Sequence, residues 1–264
     1  MTPPSPAPSL ADVLFPAIAA TWPAGRSYGF GGWTINQTHG AGNRTSAATW
    51  EGAKTGPDAD GIDAAADEMR RLGQVPLFML RGTAEVALDS RLEGLGYTKQ
   101  DATVIYAHAC AGIAAPPPPV TCFEVWPPLA VQAELWEQGG IGAARLAVMH
   151  RVAGAKTSLF GRIDDTPAGT AFVALHGPVA MLHALEVAEE HRRKGMARIM
   201  VAAAADWALR GGAKTLTLLT TRANLPAGQL YASLGFCAVG HYHYRIKPED
   251  PCAGTARQTR TQPR

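Results

Sequence analysis

The sequence has few cysteines, little net charge and no long hydrophobic run. Its 264 residues include four cysteines, none in a C-x-x-C pair, so we expect reduced, partly buried thiols instead of a disulfide framework. Because 24 Lys and Arg stand against 22 Asp and Glu, the overall charge implies no nucleic-acid partner. No apolar run approaches the roughly 18 residues that a membrane-spanning helix needs, so we also expect no membrane association.

The first 25 residues contain several prolines and lack a basic region ahead of an apolar core. They therefore do not resemble a secretory signal, and we expect a cytoplasmic protein. The frequent use of Ala, Pro, Gly and Arg is typical of a GC-rich bacterial genome, so we also expect a bacterial source.

A run of four prolines at 116–119 divides the chain. Prolines stiffen a segment and remove backbone donors, so this run is predicted to be a linker. At about 150 residues per domain the length predicts two domains, which we place at 1–115 and 120–248. The polar stretch 249–264 lacks apolar periodicity and is predicted to be a flexible tail.

An ungapped shift of 139 residues superimposes parts of the two halves. It aligns a turn, a helix end and two further stretches: Leu95-Gly96-Tyr97 with Leu234-Gly235-Phe236, Gly73 with Gly212, 76–80 with 215–219, and 43–50 with 182–189. Identity is low, so a duplicated βαβαβ unit and a chance similarity of α/β patterns both remain open. We adopt duplication as the working hypothesis.

The second half predicts a mixed order of strands and helices around a central sheet. The predicted strands are 120–126, 157–163, 169–176, 179–187, 215–219 and 236–246. The predicted helices are 129–137, 141–152, 195–210 and 226–234. The fold class is therefore α/β with a mixed sheet.

Three adjacent cations, Arg192-Arg193-Lys194, precede the helix predicted at 195–210. A helix N-terminus favours anions, so cations placed there need an explanation. They form either a solvated basic patch partly neutralised by Glu189 and Glu190, or the cage of a phosphate bound by free N–H groups, with Gly195 allowing close approach of the backbone.

Two motifs flank this helix. R-x-x-G-x-A, at Arg192, Gly195 and Ala197, follows a strand, and N-x-x-A-x-x-L-Y-x-x-x-G-F runs from Asn224 to Phe236. Together they resemble the GNAT superfamily of acyl-CoA-dependent N-acetyltransferases, over roughly 120–247. The resemblance implies acetyl-CoA as co-substrate and transfer of its acetyl group to the amine of a small molecule or peptide.

The resemblance also implies which residues hold acetyl-CoA. The edge of the strand before the helix binds the pantetheine arm, the backbone after Arg192 cradles the pyrophosphate, and Asn224 faces the arm from the other side. Tyr231 lies near the thioester sulfur and protonates the leaving thiolate. The cofactor-binding set is Leu185, Glu186, Val187, Arg192, Arg193, Lys194, Gly195, Met196, Ala197, Asn224 and Tyr231.

Direct transfer needs a neutral amine, because an ammonium has no lone pair to attack the thioester. Glu186 is the predicted base that accepts the proton, and His183 is the reserve. Two alternatives stay open: Glu186 as an exposed strand carboxylate, and Tyr231 as a packed core aromatic. An acyl-CoA sensor or interaction protein without turnover is the alternative to an enzyme.

The first half lacks the residues of the second-half site. The shift takes Arg192 to Ala53, Ala197 to Asp58 and Tyr231 to Leu92. We therefore predict a partial, degenerate GNAT-like domain that has no CoA site and that shapes the substrate cleft or completes the core. His241 and His243 share a strand face, but two ligands without a third are too few for a metal site, so none is predicted. Monomer and homodimer both remain open.

Overall fold

The computed structural model describes residues 10–53, 55–82 and 84–247, so the predicted tail at 249–264 lies outside the described residues. The helices are α1 Leu10–Thr21, α2 Ala59–Arg71, α3 Val86–Gly94, α4 Cys110–Ile113, α5 Ala130–Gln138, α6 Ala143–Arg151, α7 Met196–Arg210 and α8 Leu225–Ser233. The strands are β1 Arg26–Phe30, β2 Trp33–Gln37, β3 Thr49–Trp50, β4 Leu77–Arg81, β5 Thr98–Ala109, β6 Cys122–Val125, β7 Lys156–Ile163, β8 Thr166–His176, β9 Val179–Val187, β10 Thr215–Thr221 and β11 Cys237–Ile246. In this part of the chain no helix combines the length and the hydropathy that crossing a membrane requires.

The long helix α7 follows from its sequence pattern. Met196, Met200 and Ala204 are spaced by four residues and are buried on one face. Gly212 ends the helix with φ 87°, and the N–H of Ala213 donates to the carbonyl of Ala208 at 2.9 Å. The helix predicted at this position is confirmed.

Two sheets are described. The main sheet has eight strands in the order β4-β11-β5-β10-β9-β8-β7-β6, and β1-β2-β3 form a small second sheet. In the main sheet β9 and β10 are parallel, and the other neighbours are antiparallel. Ala48, just before β3, forms an isolated parallel bridge with Phe78 of β4. The mixed α/β class is confirmed.

The final strand of each half pairs with strands of the other half. β5 lies between β10 and β11, and β11 lies between β5 and β4. The 139-residue shift takes the pair Cys237 and Ala107 to the pair Thr98 and Ile246, and the sheet contains both pairs. Because the sheet crosses the predicted linker at 116–119, a separate two-domain arrangement is not shown, and the domain boundaries stay a prediction.

The alignment of 43–50 within that shift is wrong. The shift takes Phe78 to Thr217, but the parallel partner of Phe78 is Ala48, whereas that of Thr217 is Met181. The shift takes Ala48 to Val187, six residues after Met181. An ungapped shift fails here because the connection between strand and helix differs in length between the halves.

Side chains on the two faces of the main sheet pack into different clusters. Leu216 and Leu218 pack with α7 on one face, which we call the α7 face. Val179 and Met181 pack with the N-terminal residues on the opposite face, which we call the far face. Residues of the N-terminal half therefore cover the far face at β9, whereas α5 and α6 pack on it at β8.

The cysteines show no disulfide among the described residues. Cys110 and Cys122 are buried, and burial raises the pKa of their thiols to about 11 and about 12. Cys237 is exposed, in contrast to the expected partial burial, because it begins β11 beside a turn. Cys252 lies outside the described residues.

An ionic cluster ties α3 to β11. Asp89 accepts hydrogen bonds from Nε of Arg245 at 2.6 Å and from Nε2 of His243 at 2.8 Å. Arg245 also donates to Glu93 at 3.2 Å. Burial raises the pKa of Asp89, but the hydrogen bonds from Arg245 and His243 outweigh it and hold this pKa below its ordinary value.

We predict that Asp89→Ala lowers the free energy of unfolding by about 3 kcal/mol at pH 7, because it leaves the buried Arg245 short of its closest partner. Glu93→Ala is the matched control: its carboxylate is 70% exposed, so we expect a loss below about 1 kcal/mol. Urea unfolding at several pH values measures both losses.

The pH dependence follows from the lowered pKa of Asp89. Its stabilisation is complete above the unfolded value of about 4 and is lost as the pH falls through the lower folded pKa. The difference between the wild type and Asp89→Ala should therefore shrink below about pH 4. A constant difference down to about pH 2 would contradict the ionic origin of the stabilisation.

Candidate functional site

The site begins where β9 and β10 separate. Their parallel pairing runs from Val179 and Thr215 to Leu182 and Leu218, and β9 then continues to Val187 without β10. The edge of β9 that faces β10 is therefore unpaired beyond Leu182. A free strand edge offers N–H and C=O groups to an extended ligand.

A bulge in β9 marks the point of separation. Glu186 pairs with Thr170, and His183 pairs with Phe172, so the intervening β9 segment holds one residue more than β8. Ala184 lies in this segment with φ 51°, a left-handed conformation that costs a non-glycine residue energy. The indole N–H of Trp136 donates to its carbonyl at 2.7 Å and holds the bulge.

The N-terminus of α7 is open toward the same gap. Gly195 is its N-cap with φ 90° and supplies no side-chain cap. Within the described chain, the N–H groups of residues 193–198 find no acceptor, and the first helical bond runs from Ile199 to Gly195. The N-terminus of α2, by contrast, is closed, since Asp58 accepts the N–H of Gly61 at 2.8 Å.

These features border one cleft of about 770 Å³, which we call the α7 cleft. Ten of the eleven predicted cofactor-binding residues line it, and Lys194 is not among them. The lining residues are Leu185, Glu186, Val187, His191, Arg192, Arg193, Gly195, Met196, Ala197, Arg198, Asn224, Pro226, Ala227, Leu230 and Tyr231. The structure thus brings the predicted residues together around one cleft.

The cations around the cleft have different surroundings. Arg192 donates to Glu186 at 3.1 Å and to the carbonyl of Val187 at 3.0 Å, whereas Arg193 is exposed at φ 63°. The motifs missed Arg198, which lines the cleft and donates to the hydroxyl of Ser233 at 3.0 Å. Its position in the first turn of α7, shortly after three adjacent cations, was the available signal.

His191 is a second residue that the motifs missed. It is buried and lines the α7 cleft, and its Nδ1 has no hydrogen-bond partner in the described structure. An unpartnered buried nitrogen is costly in a folded protein. It therefore points to a ligand or a water that occupies this end of the cleft.

Tyr231 lies where α8 meets the sheet. Its ring packs against Tyr106 and Phe236, with centroids 5.8 and 6.0 Å away. Burial raises the pKa of its phenol to about 12. The hydroxyl therefore keeps its proton at neutral pH and can donate it or share it with a charged sulfur.

Asn224 is the N-cap residue of α8. Its side-chain oxygen accepts the N–H of Ala227 at 3.2 Å and caps α8, while the residue also borders the α7 cleft. This cap occupies the side-chain oxygen, so the amide N–H groups are what Asn224 can offer to the cleft.

Glu186 faces the turn that follows α5. Its carboxylate pairs with Arg192 and packs on Gly139, where a Cβ would lie 2.6 Å from the carboxyl carbon. A side chain larger than that of glycine at 139 would displace this carboxylate. The group is one-fifth exposed, so water can reach it.

His183 does not fit the reserve role of base. The hydroxyl of Thr21 donates to the carbonyl of Ala17 at 2.7 Å, so Nε2 of His183, 2.9 Å away, must donate to that hydroxyl. Nδ1 then accepts from Arg44 at 3.3 Å. Burial, and secondarily the charge of Arg44, hold the pKa of His183 well below its ordinary value. No free lone pair remains, and Glu186 is retained as the candidate.

A smaller cavity of about 260 Å³ lies on the far face, and we call it the far-face pocket. Ala184 of the bulge and Thr221 at the end of β10 both line it, so it adjoins the same gap between the strands. The N-terminal half and α6 supply other walls. Its charged residues are Arg44, Asp101 and Arg145.

Comparisons with known proteins agree with this geometry. Residues 117–236 match the model of the acetyltransferase (GNAT) family. The chain is 27% identical over 244 residues to an uncharacterized N-acetyltransferase, YobR, of Bacillus subtilis, covering 87% of this chain and 95% of that protein. Residues 117–236 are therefore similar to the acetyltransferase (GNAT) family.

Solved structures show the fold. A GCN5-related N-acetyltransferase from Kribbella flavida superimposes with TM-score 0.68 and 18% identity, covering 92% of this chain and 96% of that one. A tandem GNAT protein from the clavulanic acid biosynthesis pathway superimposes with TM-score 0.54 and 17% identity, covering 72% of this chain and 70% of that one. The fold is therefore mixed α/β and GNAT-like.

The bulge generates a stability prediction. We expect Ala184→Gly to raise the free energy of unfolding by up to about 1 kcal/mol, because relief of the left-handed strain exceeds the entropic cost of glycine. The control Ala180→Gly, in the regular part of β9, should lower it by about 1–2 kcal/mol. Urea unfolding measures both, and equal losses would contradict strain at the bulge.

Proposed function

We propose that this protein, whose residues 117–236 match the acetyltransferase (GNAT) family, transfers the acetyl group of acetyl-CoA directly to a primary amine. One observation carries the proposal: an uncapped helix N-terminus, an unpaired strand edge and a buried tyrosine border the same cleft. The helix N-terminus can bind a pyrophosphate, the strand edge can pair with an amide-bearing arm, and the tyrosine can protonate a leaving thiolate.

The residues of the α7 cleft fit acetyl-CoA. The free N–H groups of residues 193–198 suit a pyrophosphate, and Arg193 and Arg198 supply charge beside them. The unpaired edge at Leu185 to Val187 suits the amides of pantetheine. The cleft volume of about 770 Å³ admits an extended ligand.

The chain's own groups supply the proton transfers. Glu186 accepts a proton from the acceptor's ammonium, directly or through water, and so frees the nitrogen lone pair. The nitrogen attacks the thioester carbonyl carbon, and the carbon–sulfur bond breaks as Tyr231 protonates the departing sulfur. The proton that the nitrogen then loses passes through water to the Tyr231 phenolate and restores the phenol. The acceptor arrives from the far-face pocket, through the gap that the bulge at Ala184 opens.

We also propose that the two halves are diverged copies of one unit. The symmetric strand exchange between β5 and β11 supports this, as does the likeness to a tandem GNAT structure. The closed N-terminus of α2, capped by Asp58, is the reason to give the first copy no CoA site. Its role is then to complete the sheet and to line the acceptor side.

We predict that acetyl-CoA raises the melting temperature of the protein and that Gly195→Glu abolishes the rise, because its carboxylate takes the anion position at the open N-terminus of α7. Gly212→Glu is the matched control. Both glycines have φ near 90°, and a Cβ added at either of them would meet no atom within 4 Å, so the backbone strain is equal. An unchanged rise in Gly195→Glu would refute the cofactor assignment.

For the acid, we predict that Tyr231→Phe retains acetyl-CoA binding while kcat falls about 100-fold, because the leaving sulfur loses its proton donor. Tyr106→Phe, in the ring packed against Tyr231 but outside the cleft lining, should keep kcat. Thiol release measures the rate, and calorimetry measures the binding. Equal turnover in the wild type and Tyr231→Phe would show that Tyr231 is not the acid. If the wild type binds acetyl-CoA without any thiol release, the result would favour a sensor.

A further inference from the structure

The far-face pocket contains two arginines that have no acidic partner in the described part of the chain. Arg44 contacts neutral groups: the ring of Trp22, 5.2 Å from its guanidinium carbon, and Nδ1 of His183 at 3.3 Å. Arg145 donates to the carbonyl of Gly140 at 3.2 Å. Both side chains are half-buried, so each has lost part of its hydration without gaining a counter-ion.

One acidic residue, Asp101, lines the same pocket. Its carboxylate accepts from the side-chain amide of Asn43 at 2.8 Å, and it forms no ion pair with either arginine. The pocket lining therefore carries two positive charges and one negative charge. His183 behind Arg44 is neutral and adds none.

The pocket is placed to receive an acceptor. Ala184 and Thr221 belong to the two strands that separate, so a molecule in the pocket lies across the gap from the α7 cleft. Its volume of about 260 Å³ is below that of most drug-sized sites, which start at about 300 Å³. A small molecule fits it better than a folded substrate does.

Resting on the proposed acetyl transfer, we propose that the acceptor is a small amine that also carries a carboxylate, and that Arg44 and Arg145 bind this carboxylate. The guanidinium fork matches a carboxylate in geometry. The single excess positive charge of the pocket matches one carboxylate, whereas a phosphate carries up to two negative charges. A polycationic amine would place positive charge against both arginines.

This assignment gives the N-terminal half a part in specificity. Arg44 and Trp22 come from that half, whereas Arg145 comes from α6 of the other half. The loop at Gly42 lies close to Arg145, since a Cβ there would be 3.7 Å from its guanidinium nitrogen. Both halves therefore converge on one bound anion.

Matched pairs of amines test the class. Formation of N-acetyl product by the wild type is measured by mass spectrometry and thiol release. The matched pairs are 4-aminobutanoate with butylamine and lysine with cadaverine, and the other primary amino acids are tested as well. Phosphoethanolamine tests phosphate as the anion. We expect kcat/KM for a carboxylate-bearing amine to exceed that of its carboxylate-free partner by about tenfold or more.

Three variants test the residues. Arg145→Gln and Arg44→Met should each raise KM for the carboxylate-bearing amine about 10- to 100-fold, and Arg44→Lys should raise it less, since a charge remains. The ratio of kcat/KM for the carboxylate-bearing amine to that for its carboxylate-free partner should therefore fall, whereas the rise in melting temperature with acetyl-CoA should persist. The control is Arg70→Met, an exposed arginine of α2 that pairs with Asp67 and should leave every value unchanged.

The outcomes separate this proposal from the function on which it rests. If acetyl-CoA raises the melting temperature but the carboxylate-free amines, phosphoethanolamine or no amine at all are the acceptors, the carboxylate assignment is wrong and the cofactor site stands. If KM is unchanged in Arg145→Gln and Arg44→Met, both folded by circular dichroism, these arginines do not bind the acceptor. If acetyl-CoA neither binds nor reacts, the proposed function fails as well.

Discussion

The candidate site depends on the separation of two parallel strands. β9 and β10 hydrogen-bond as far as Leu182 and Leu218, and the bulge at Ala184 then turns β9 away. The separation leaves an unpaired edge on the α7 face and an opening toward the far face. The cleft, the open N-terminus of α7 and Tyr231 all gather around this gap, because α7 and α8 flank β10 on that face.

Several features of this arrangement could be predicted from the sequence because they depend on local chemistry. The buried stripe of α7, its end at Gly212 and the cations before Gly195 are all encoded within a few residues of one another. The N…Y…GF motif likewise contains both the Asn224 cap and the buried Tyr231. The structure brings these predicted residues to one cleft, whereas their catalytic roles remain a proposal.

Other features depend on contacts between distant residues, which no local pattern encodes. Nothing near Thr98 indicates that β5 pairs with both β10 and β11. Arg44 lies in a loop without any motif and reaches the far-face pocket only because the N-terminal half packs there. The alignment of 43–50 was wrong for a related reason, since a change in connection length is invisible to an ungapped comparison.

The exchange of final strands has a consequence for biosynthesis. Domains usually fold as units, the N-terminal one first, while the ribosome is still elongating the chain. Here β4 has β11 as its neighbour in the main sheet, and β5 needs β10 and β11 on its two sides. The early segment must therefore wait, with strand edges open, until nearly all of the described chain has been made. Each half thus supplies strands that complete the sheet of the other, and either half made alone, on one side of residues 116–119, would leave an incomplete sheet with open edges.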